Sequence, residues 1–495
     1  MAINFGEKYQ HLIHRRGCNC IQPDARTFPD EALVDRSRRG FLASVAGGSL
    51  ALIADASSST SVSAATMAPA SLPPQLIAKV NAAIDSDTAR LGEIFKDLHQ
   101  HPELAFTETR TAGVVAKNLR DLGFEVTEGI AKTGVVGVLK NGPGPTAWFR
   151  ADMDCNAVRE TTGLPWAATQ PQRLANGTEV DVMHACGHDA HVTWMLGLAR
   201  AMVSLKGEWS GTLVVYAQPA EEIGLGARGM AEDGLWERGF PKPDYAFGSH
   251  AVPGPVGFVA NSPGVRMAGT DQLDVTFTGV GGHGSAPELT IDPVVMAAQA
   301  VLNYQTIVSR NVDPQASAVV SVGSIEAGRD NNVIPETATL KLNLRWFDEA
   351  VRDKMIRRID EISRGIAIGA GVDEKEMPTR LMKGYAGPLV NDAALVERVN
   401  PSLKALLGPD KVIANFPAVM GSEDFQEAFR PLGKIPYSFA LIGVAPLEMF
   451  LKARAAGRSF PYANHNPDFF VELDAIPIGA RVGTTMVLSI LAKSA

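Results

Sequence analysis

The sequence predicts an α/β protein in which a discontinuous main domain carries a smaller, inserted α+β domain. Short, almost continuously apolar segments alternate with helical segments in the first half of the chain, and this pattern returns after about residue 385. From about residue 264 to that point, the strands instead alternate as half-buried strands do. Strands that are apolar on both sides indicate a mixed sheet with helices on both faces. A chain of 495 residues also suits two cores better than one.

The N-terminal segment, residues 1–65, has the features of a twin-arginine secretory signal. Arg38 and Arg39 precede an apolar stretch at 41–54, and small residues at 62–65 form a cleavage site. The apolar stretch is too short for a stable membrane span. We therefore expect a periplasmic or secreted protein. The alternative is a disordered tail with a chance arginine pair.

The main domain is predicted to comprise residues 72–263 and 380–495. Leu91, Ile94 and Leu98 recur on one helical face, which predicts a helix over 75–101. The β-rich apolar segments that follow predict short strands at 123–126, 134–138, 146–150, 211–217 and 244–250. Polar residues cluster where these strands end, which is where open α/β sheets place their sites.

The inserted domain is predicted at residues 264–379. Its strands are expected at 272–277, 318–322 and 338–344, and its helices at 293–309 and 349–368. This β-α-β-β-α order is typical of a ferredoxin-like α+β fold.

Composition narrows the function classes. The net charge is −8, and no basic stripe is interleaved with aromatic residues, so we expect no nucleic-acid partner. Only Cys155 and Cys186 remain if the signal segment is removed, which is too few for a disulfide framework. We interpret Cys155 as a small residue packed near a strand end.

The segment from Met183 to His191 is the strongest chemical signal. Cys186 and His188 lie two residues apart with further histidines beside them, and Gly187 between them lets both side chains turn to one point. Thiolate and imidazole are ligands of zinc, manganese and cobalt. The pattern therefore predicts a metal site.

Two carboxylates, Glu221 and Glu222, follow a predicted strand and precede a glycine-rich stretch. One can bind metal while the other acts as general base on a water molecule. His250, at the end of a predicted strand, and His465 complete a set of five ligands, enough for two metal ions. A purely structural zinc site is disfavoured, because such sites use four ligands that lie close together in sequence.

Several segments together resemble the M20 family of metallopeptidases, in the aminoacylase/carboxypeptidase branch that includes hippurate hydrolases and auxin-conjugate amidohydrolases. They occur in the family's order over nearly all of the chain after the signal, at residues 150–154, 183–189, 219–222, 281–287, 332–335, 421–425 and 464–467.

The resemblance implies that two divalent ions, zinc, manganese or cobalt, are bound by Cys186, His188, Glu222, His250 and His465. It also implies roles for residues around the ions. Glu221 would be the general base, and His283 would polarise the scissile carbonyl or hold the oxyanion. Asn332 and Arg345 would lie near a substrate carboxylate, although a surface ion pair is an equal alternative for Arg345. Residues that orient the ligands or tune the metals would be Asp152, Asp189 and Glu423.

The resemblance further implies that the inserted domain is a lid and dimerisation domain, and hence a homodimer. The expected activity is hydrolysis of N-acyl amino acids at an amide bond beside a free carboxylate. The alternative within the same class is a carboxypeptidase acting on short peptides or aryl-amide conjugates. A non-catalytic binding protein of the same fold is disfavoured, because Glu221 and all five ligands are present.

Overall fold

The computed structural model describes residues 71–174 and 176–493, so the predicted signal segment lies outside the described residues. The helices are α1 Pro74–Asp85, α2 Thr88–Gln100, α3 Thr109–Asp121, α4 His188–Ser204, α5 Gly226–Glu232, α6 Pro293–Thr306, α7 Glu349–Gly369, α8 Ala393–Leu407, α9 Leu447–Ala455 and α10 Ala475–Leu491. The strands are β1 Glu125–Ile130, β2 Gly134–Asn141, β3 Thr146–Asp152, β4 Gln172–Arg173, β5 Glu179–Val180, β6 Gly211–Gln218, β7 Tyr245–Pro255, β8 Val259–Ala260, β9 Gly264–Met267, β10 Gly269–Thr278, β11 Gly282–His283, β12 Ala318–Ala327, β13 Val333–Ile334, β14 Thr337–Trp346, β15 Thr379–Ala386, β16 Leu389–Asn391, β17 Val412–Ile413 and β18 Tyr437–Ala445.

The main domain is built on an eight-stranded mixed sheet in the order β1-β2-β6-β3-β7-β18-β8-β17. The four central strands β6, β3, β7 and β18 run parallel, so their carboxyl ends meet at one edge. The antiparallel pairs lie toward the sides of the sheet. The prediction of a mixed sheet is confirmed.

Both faces of this sheet are covered, because alternate side chains of its central strands enter two different cores. In β3, Phe149 packs into the core that includes α1, α2, α4 and α10, whereas Trp148 packs into a second core with Tyr216 and α5. The four innermost strands are buried along almost their whole length. This burial explains why they lack the alternation of half-buried strands.

The inserted domain has a four-stranded antiparallel sheet in the order β12-β14-β10-β15, with α6 and α7 forming a third core against it. Its sequence order is β-α-β-β-α-β, which together with this strand order is the ferredoxin-like arrangement that the sequence predicts. The fourth strand, β15, pairs with β10 along Thr379–Ala386 and extends the small sheet seven residues past the predicted boundary at 379.

Two elements of the main domain differ from the predictions. The helix predicted over 75–101 is two helices, because Ser86 and Asp87 form a turn with the Asp87 N–H bonded to the Ile84 carbonyl at 3.0 Å. Such polar residues compete with the helix backbone for hydrogen bonds. The strand predicted to end at His250 continues to Pro255, because β18 pairs with it along that whole length.

No helix in the described part of the chain is both long and apolar enough to span a membrane.

Candidate metal centre

Five side chains from separate parts of the main domain meet at the carboxyl edge of the large sheet. Cys186 precedes α4 and His188 begins it, Glu222 follows β6, His250 lies within β7, and His465 lies in the loop before α10. All five candidate ligands predicted from the sequence are therefore brought together.

Gly187 explains how two neighbouring residues can face one point. It has a φ of +84°, in the left-handed region that favours glycine. A Cβ atom at this position would lie 2.9 Å from the Cβ atom of Ala251, so the space is also closed to a side chain. The glycine thus allows Cys186 and His188 to converge at the start of α4.

The potential ligand atoms form two groups that share Cys186. In each group the atoms lie within 4.8 Å of one another: Cys186, His188 and His250 form one, and Cys186, Glu222 and His465 the other. The Cys186 Sγ is 3.4 Å from the His250 Nε2 and 3.2 Å from the His465 Nε2. The Glu222 carboxylate spans the groups, with Oε1 3.6 Å from His188 Nε2 and Oε2 3.3 Å from His465 Nε2.

The histidines present the ring nitrogens that a metal needs. The His250 Nδ1–H donates to the Ala251 carbonyl at 2.8 Å, which leaves the Nε2 lone pair directed at the cluster. Burial lowers the pKa of His250 well below its usual range, so the ring is neutral. His465 has a φ of +66° and a half-exposed side chain, and its N–H donates to the Ala185 carbonyl at 2.7 Å. His465 therefore lies on the solvent side of the cluster.

A tight turn after β6 places Glu221 and Glu222. Ala220, just before them, is fully buried with a φ of +52°. The two glutamate N–H groups donate to the buried carboxylate of Asp154, at 3.1 and 3.0 Å. Asp154 also lies 3.3 Å from the His188 Nδ1, so one carboxylate holds both the turn and a candidate ligand.

Arg150 holds the carboxylates behind the turn. Its guanidinium is fully buried and donates to Asp152 at 2.7 Å and to Glu423 at 2.8 and 3.1 Å. It also contacts Asp424 at 3.4 Å. A planar guanidinium suits this task because it can bind several carboxylates in fixed directions. Asp152 in turn binds the His191 Nδ1, and the His191 Nε2 accepts from the Ala251 N–H at 2.7 Å.

Glu221 lies among these negative charges. Burial raises its pKa well above the usual range, and the nearby carboxylates of Glu423, Glu222 and Asp424 raise it further. A raised pKa makes this carboxylate a better proton acceptor. Its carboxyl oxygen lies within 4.8 Å of the facing oxygens of Glu423 and Asp424, while the side chain keeps some solvent access.

The chemistry of the donor set fits divalent ions. His188 Nε2 and Glu222 Oε1 are buried and make no hydrogen bond among the described residues, an arrangement that costs stability unless another group satisfies them. Burial lowers the pKa of His188, but Asp152, Asp154 and Glu222 outweigh it and raise the pKa to about 10. Burial and the carboxylates also raise the pKa of the Cys186 thiol well above its usual range. Apart from burial, both pKa shifts reflect the negative charge of the surrounding carboxylates. Bound cations would balance this negative charge and stabilise the Cys186 thiolate.

Asp189 occupies a different place from the one predicted. Its carboxylate accepts from the His99 Nδ1 at 2.6 Å and from the Ala190 N–H at 2.8 Å. The other ring nitrogen of His99 lies 3.2 Å from Glu160. Because Asp189 points from the first turn of α4 toward α2, it anchors the helix through His99 and does not orient one of the five ligands. Asp152 and Glu423, in contrast, lie beside the cluster as expected.

Two of the predicted residues of the inserted domain, His283 in β11 and Asn332 just before β13, lie near each other. β11 pairs with β13, and the Gly284 N–H donates to the Asn332 carbonyl at 2.8 Å. The His283 Nδ1 accepts from the Ser285 N–H at 3.1 Å, so a neutral ring carries its hydrogen on Nε2. Both His283 and Asn332 are exposed. Arg345 donates to the Ser422 hydroxyl, which joins the inserted domain to the residue before Glu423.

Four residues of the site were not given a role by the sequence interpretation: Arg150, Asp154, His191 and Asp424. Arg150 and Asp154 appeared there only as family landmarks, and Asp424 only beside Glu423. Arg150 and Asp152 alternate at the end of β3 and Asp154 continues the spacing just beyond it, so period-two spacing was an available signal. What sequence could not give was the partner that each one binds.

Comparisons with known proteins agree with this geometry. The chain is 39% identical over 350 residues to a hippurate hydrolase from Campylobacter jejuni, a match covering 70% of this chain and 86% of that one. It is 34% identical over 393 residues to thermostable carboxypeptidase 1 from Saccharolobus solfataricus, covering 78% and 92%.

Among solved structures, a dinuclear metal-binding peptidase of the M20 family from Bacillus subtilis superposes with a TM-score of 0.65 at 26% identity. That match covers 82% of this chain and 99% of the other. Residues 148–489 match the model of peptidase family M20/M25/M40. The resemblance predicted from the motifs is thus confirmed, and the chain belongs to peptidase family M20/M25/M40.

Proposed function

We propose that this protein is a metal-dependent amidohydrolase that cleaves N-acyl amino acids at the amide bond beside a free carboxylate. The observation that carries the proposal is the pair of ligand groups that share Cys186, with Glu221 beside them. The ions would be held by Cys186, His188, Glu222, His250 and His465. Thiolate, imidazole and carboxylate together suit zinc, and also manganese or cobalt. The solved relative from Bacillus subtilis, described as dinuclear, supports two ions.

Ions bound there would polarise the scissile carbonyl and make a water molecule more acidic. Glu221 takes the proton that the attacking water loses and passes it to the nitrogen of the leaving amine. Its raised pKa, caused by burial and by neighbouring carboxylates, suits both steps. Asp154 fixes the backbone of both glutamates. This lets Glu222 serve as a metal ligand while Glu221 serves as the general base.

The inserted domain would complete the site. His283 would donate its Nε2–H to the substrate carbonyl oxygen, and Asn332 and Arg345 would lie near the substrate carboxylate. Because His283 and Asn332 are exposed, this role needs a domain movement or a second copy of the chain. Exposed apolar side chains on the inserted domain, such as Leu302 and Ile368, are compatible with the homodimer that we propose.

Two substrate types within this class are favoured by different relatives. The relative named hippurate hydrolase favours an N-acyl amino acid, whereas the relative named carboxypeptidase favours a short peptide. We also propose export by the twin-arginine route, on the basis of Arg38, Arg39 and the apolar stretch at 41–54. Fractionation of cells that express the full chain, with and without Arg38→Lys and Arg39→Lys, tests the export.

The activity is tested by stripping the protein with a chelator and adding back zinc, manganese or cobalt singly. Each form is assayed for amine release from N-acetyl, N-lauroyl and N-benzoyl amino acids and from short peptides. Glu221→Gln is expected to lower kcat by at least about 100-fold without loss of metal, since it removes the general base. Glu232→Gln, at an exposed carboxylate in α5, is the control and should keep full activity. Metal-restored activity that survives in Glu221→Gln would contradict the mechanism.

A further inference from the structure

Glu108 is a buried carboxylate outside the set of proposed ligands and bases. Glu108 lies just before α3 and is fully buried. Its Oε1 accepts from the Phe106 N–H and from the Ala220 N–H, both at 2.9 Å. Its Oε2 accepts from the Thr133 hydroxyl at 2.6 Å. One side chain therefore joins three chain segments that are far apart in sequence.

These three segments contain most of the unusual backbone of the described residues. Five residues other than glycine have a positive φ, and four of them lie in these segments: Phe106, Ala131, Lys132 and Ala220. The fifth is His465, a proposed metal ligand. Left-handed conformations of such residues persist only where the surroundings enforce them, and they cluster at functional sites. Glu108 supplies part of that enforcement at all three segments.

The link to the proposed chemistry runs through Ala220. Its N–H is held by Glu108, and the next two N–H groups, those of Glu221 and Glu222, are held by Asp154. Three consecutive backbone donors are thus fixed by two buried carboxylates. A change at Ala220 moves the backbone of Glu221 directly, because the two residues share a peptide bond.

We propose that Glu108 is a positioning residue, which aims Glu221 and Glu222 by holding the left-handed turn at Ala220. This inference rests on the proposed function for the roles of the two glutamates. The side-chain hydrogen bonds of Glu108 go to Phe106, Thr133 and Ala220, so it acts on the two glutamates through the backbone of the turn. Its effect is to keep the carboxylates of Glu221 and Glu222 correctly placed relative to the other proposed ligands. A displacement of about 1 Å can lower the rate on the order of 100-fold.

The test compares three variants of the zinc-loaded enzyme. Glu108→Ala removes all three hydrogen bonds. Glu108→Gln keeps a carbonyl oxygen for Phe106 and Ala220, and its amide can donate to the Thr133 hydroxyl. Glu103→Ala is the matched control, because Glu103 accepts from the Arg110 and Thr111 N–H groups in the same segment and does not contact the Ala220 turn. For each protein, kcat, KM, zinc affinity and melting temperature are measured.

Glu108→Ala should lower kcat and zinc affinity by about 10- to 100-fold each, with KM little changed. Glu108→Gln should stay close to the wild type. Glu103→Ala should lose melting temperature while keeping kcat. If Glu108→Ala does not fold, Glu108→Asp replaces it, because its shorter side chain cannot reach all three donors.

The inference is overturned if Glu108→Ala, or Glu108→Asp in its place, keeps wild-type kcat and zinc affinity. It is also overturned if Glu103→Ala loses as much of both, since the effect would then be one of folding. If the wild type hydrolyses no substrate of the panel, the proposed function fails, but the zinc affinities still decide the role of Glu108.

Discussion

At the scale of single residues, the centre depends on partners for charges that burial would otherwise make costly. Arg150 is the clearest case, because it is the cation that Asp152, Glu423 and Asp424 share in a region closed to water. A buried ion pair adds little net stability, but removing one partner leaves the others uncompensated. Arg150 therefore stabilises the folded protein through its charge and its hydrogen-bond donors more than through its packing.

We predict that Arg150→Met lowers the free energy of unfolding by about 3–5 kcal/mol, since the ionised Asp152 loses its buried cation. Glu423 and Asp424 lose a buried hydrogen-bond donor as well. The measurement is urea unfolding of the metal-loaded protein. Lys117→Met is the control, because Lys117 and Asp121 form an exposed ion pair worth at most about 1 kcal/mol. A loss at Arg150 no larger than that of the control would contradict the role of Arg150 as the cation that Asp152 needs in the folded protein.

At this scale the sequence predicted those features for which the type of residue alone indicates the chemistry. Cysteine next to glycine and histidine predicted a metal site, and the structure brings those residues together with Glu222, His250 and His465. Asp189 shows the limit of such inference. The family resemblance implied a role at the metals for Asp189, but its carboxylate faces His99 from another helix. Nothing in the local sequence gives that partner.

At the scale of elements, α4 begins with His188, directly after Cys186 and Gly187, and is held by close packing against α10. Both helices approach through glycine. A Cβ atom at Gly479 would lie 2.2 Å from the Trp194 ring, and one at Gly197 would lie 2.7 Å from the Ala480 Cβ. The Trp194 Nε1–H also donates to the Ala475 carbonyl at 3.1 Å. The close packing of the two helices therefore fixes the position of α4, which begins with His188.

We predict that Gly479→Ala lowers the free energy of unfolding by about 1–3 kcal/mol, because the added methyl overpacks the contact with Trp194. Gly113→Ala in α3 should instead raise it by about 0.5–1 kcal/mol, because alanine is the better helix former. The space around Gly113 is open, with nothing within 4 Å of an added Cβ. Thermal unfolding of both variants checks the contrast. Equal shifts of the same sign would contradict this account of the packing.

The elements themselves were largely predictable, because apolar periodicity reports burial. Their ends were not. β7 continues past His250 because β18 pairs with it. β15 was not predicted as a strand, and the inserted domain extends to Ala386 because β15 pairs with β10. In both cases the boundary is set by a strand that is distant in sequence.

At the scale of the whole molecule, the insertion leaves and re-enters the main domain at one place. β9 and β16 pair antiparallel, with Met267 opposite Leu389, so the two connections lie side by side. The inserted domain has its own hydrophobic core. The change in strand pattern near residue 264 was visible in the sequence, but the arrangement of the two domains was not.

We predict that a variant with residues 269–386 replaced by a short glycine-serine linker still folds and binds metal, because all five proposed ligands lie outside the insertion. It should lose hydrolysis, since His283, Asn332 and Arg345 are removed. Loss of one oxyanion donor alone costs about 10²- to 10³-fold in kcat, and His283→Ala in the full chain supplies that comparison. Wild-type hydrolysis by the shortened chain would contradict the role given to the inserted domain.

The most direct test of the central claim is anomalous scattering from crystals of the zinc-loaded protein, recorded on both sides of the zinc absorption edge. We predict two peaks, about 3.5–4 Å apart, among Cys186, His188, Glu222, His250 and His465. The Cys186 Sγ should lie about 2.3 Å from a peak and the histidine nitrogens about 2.0–2.1 Å. A single peak, or zinc bound away from Cys186 and Glu222, would contradict the account.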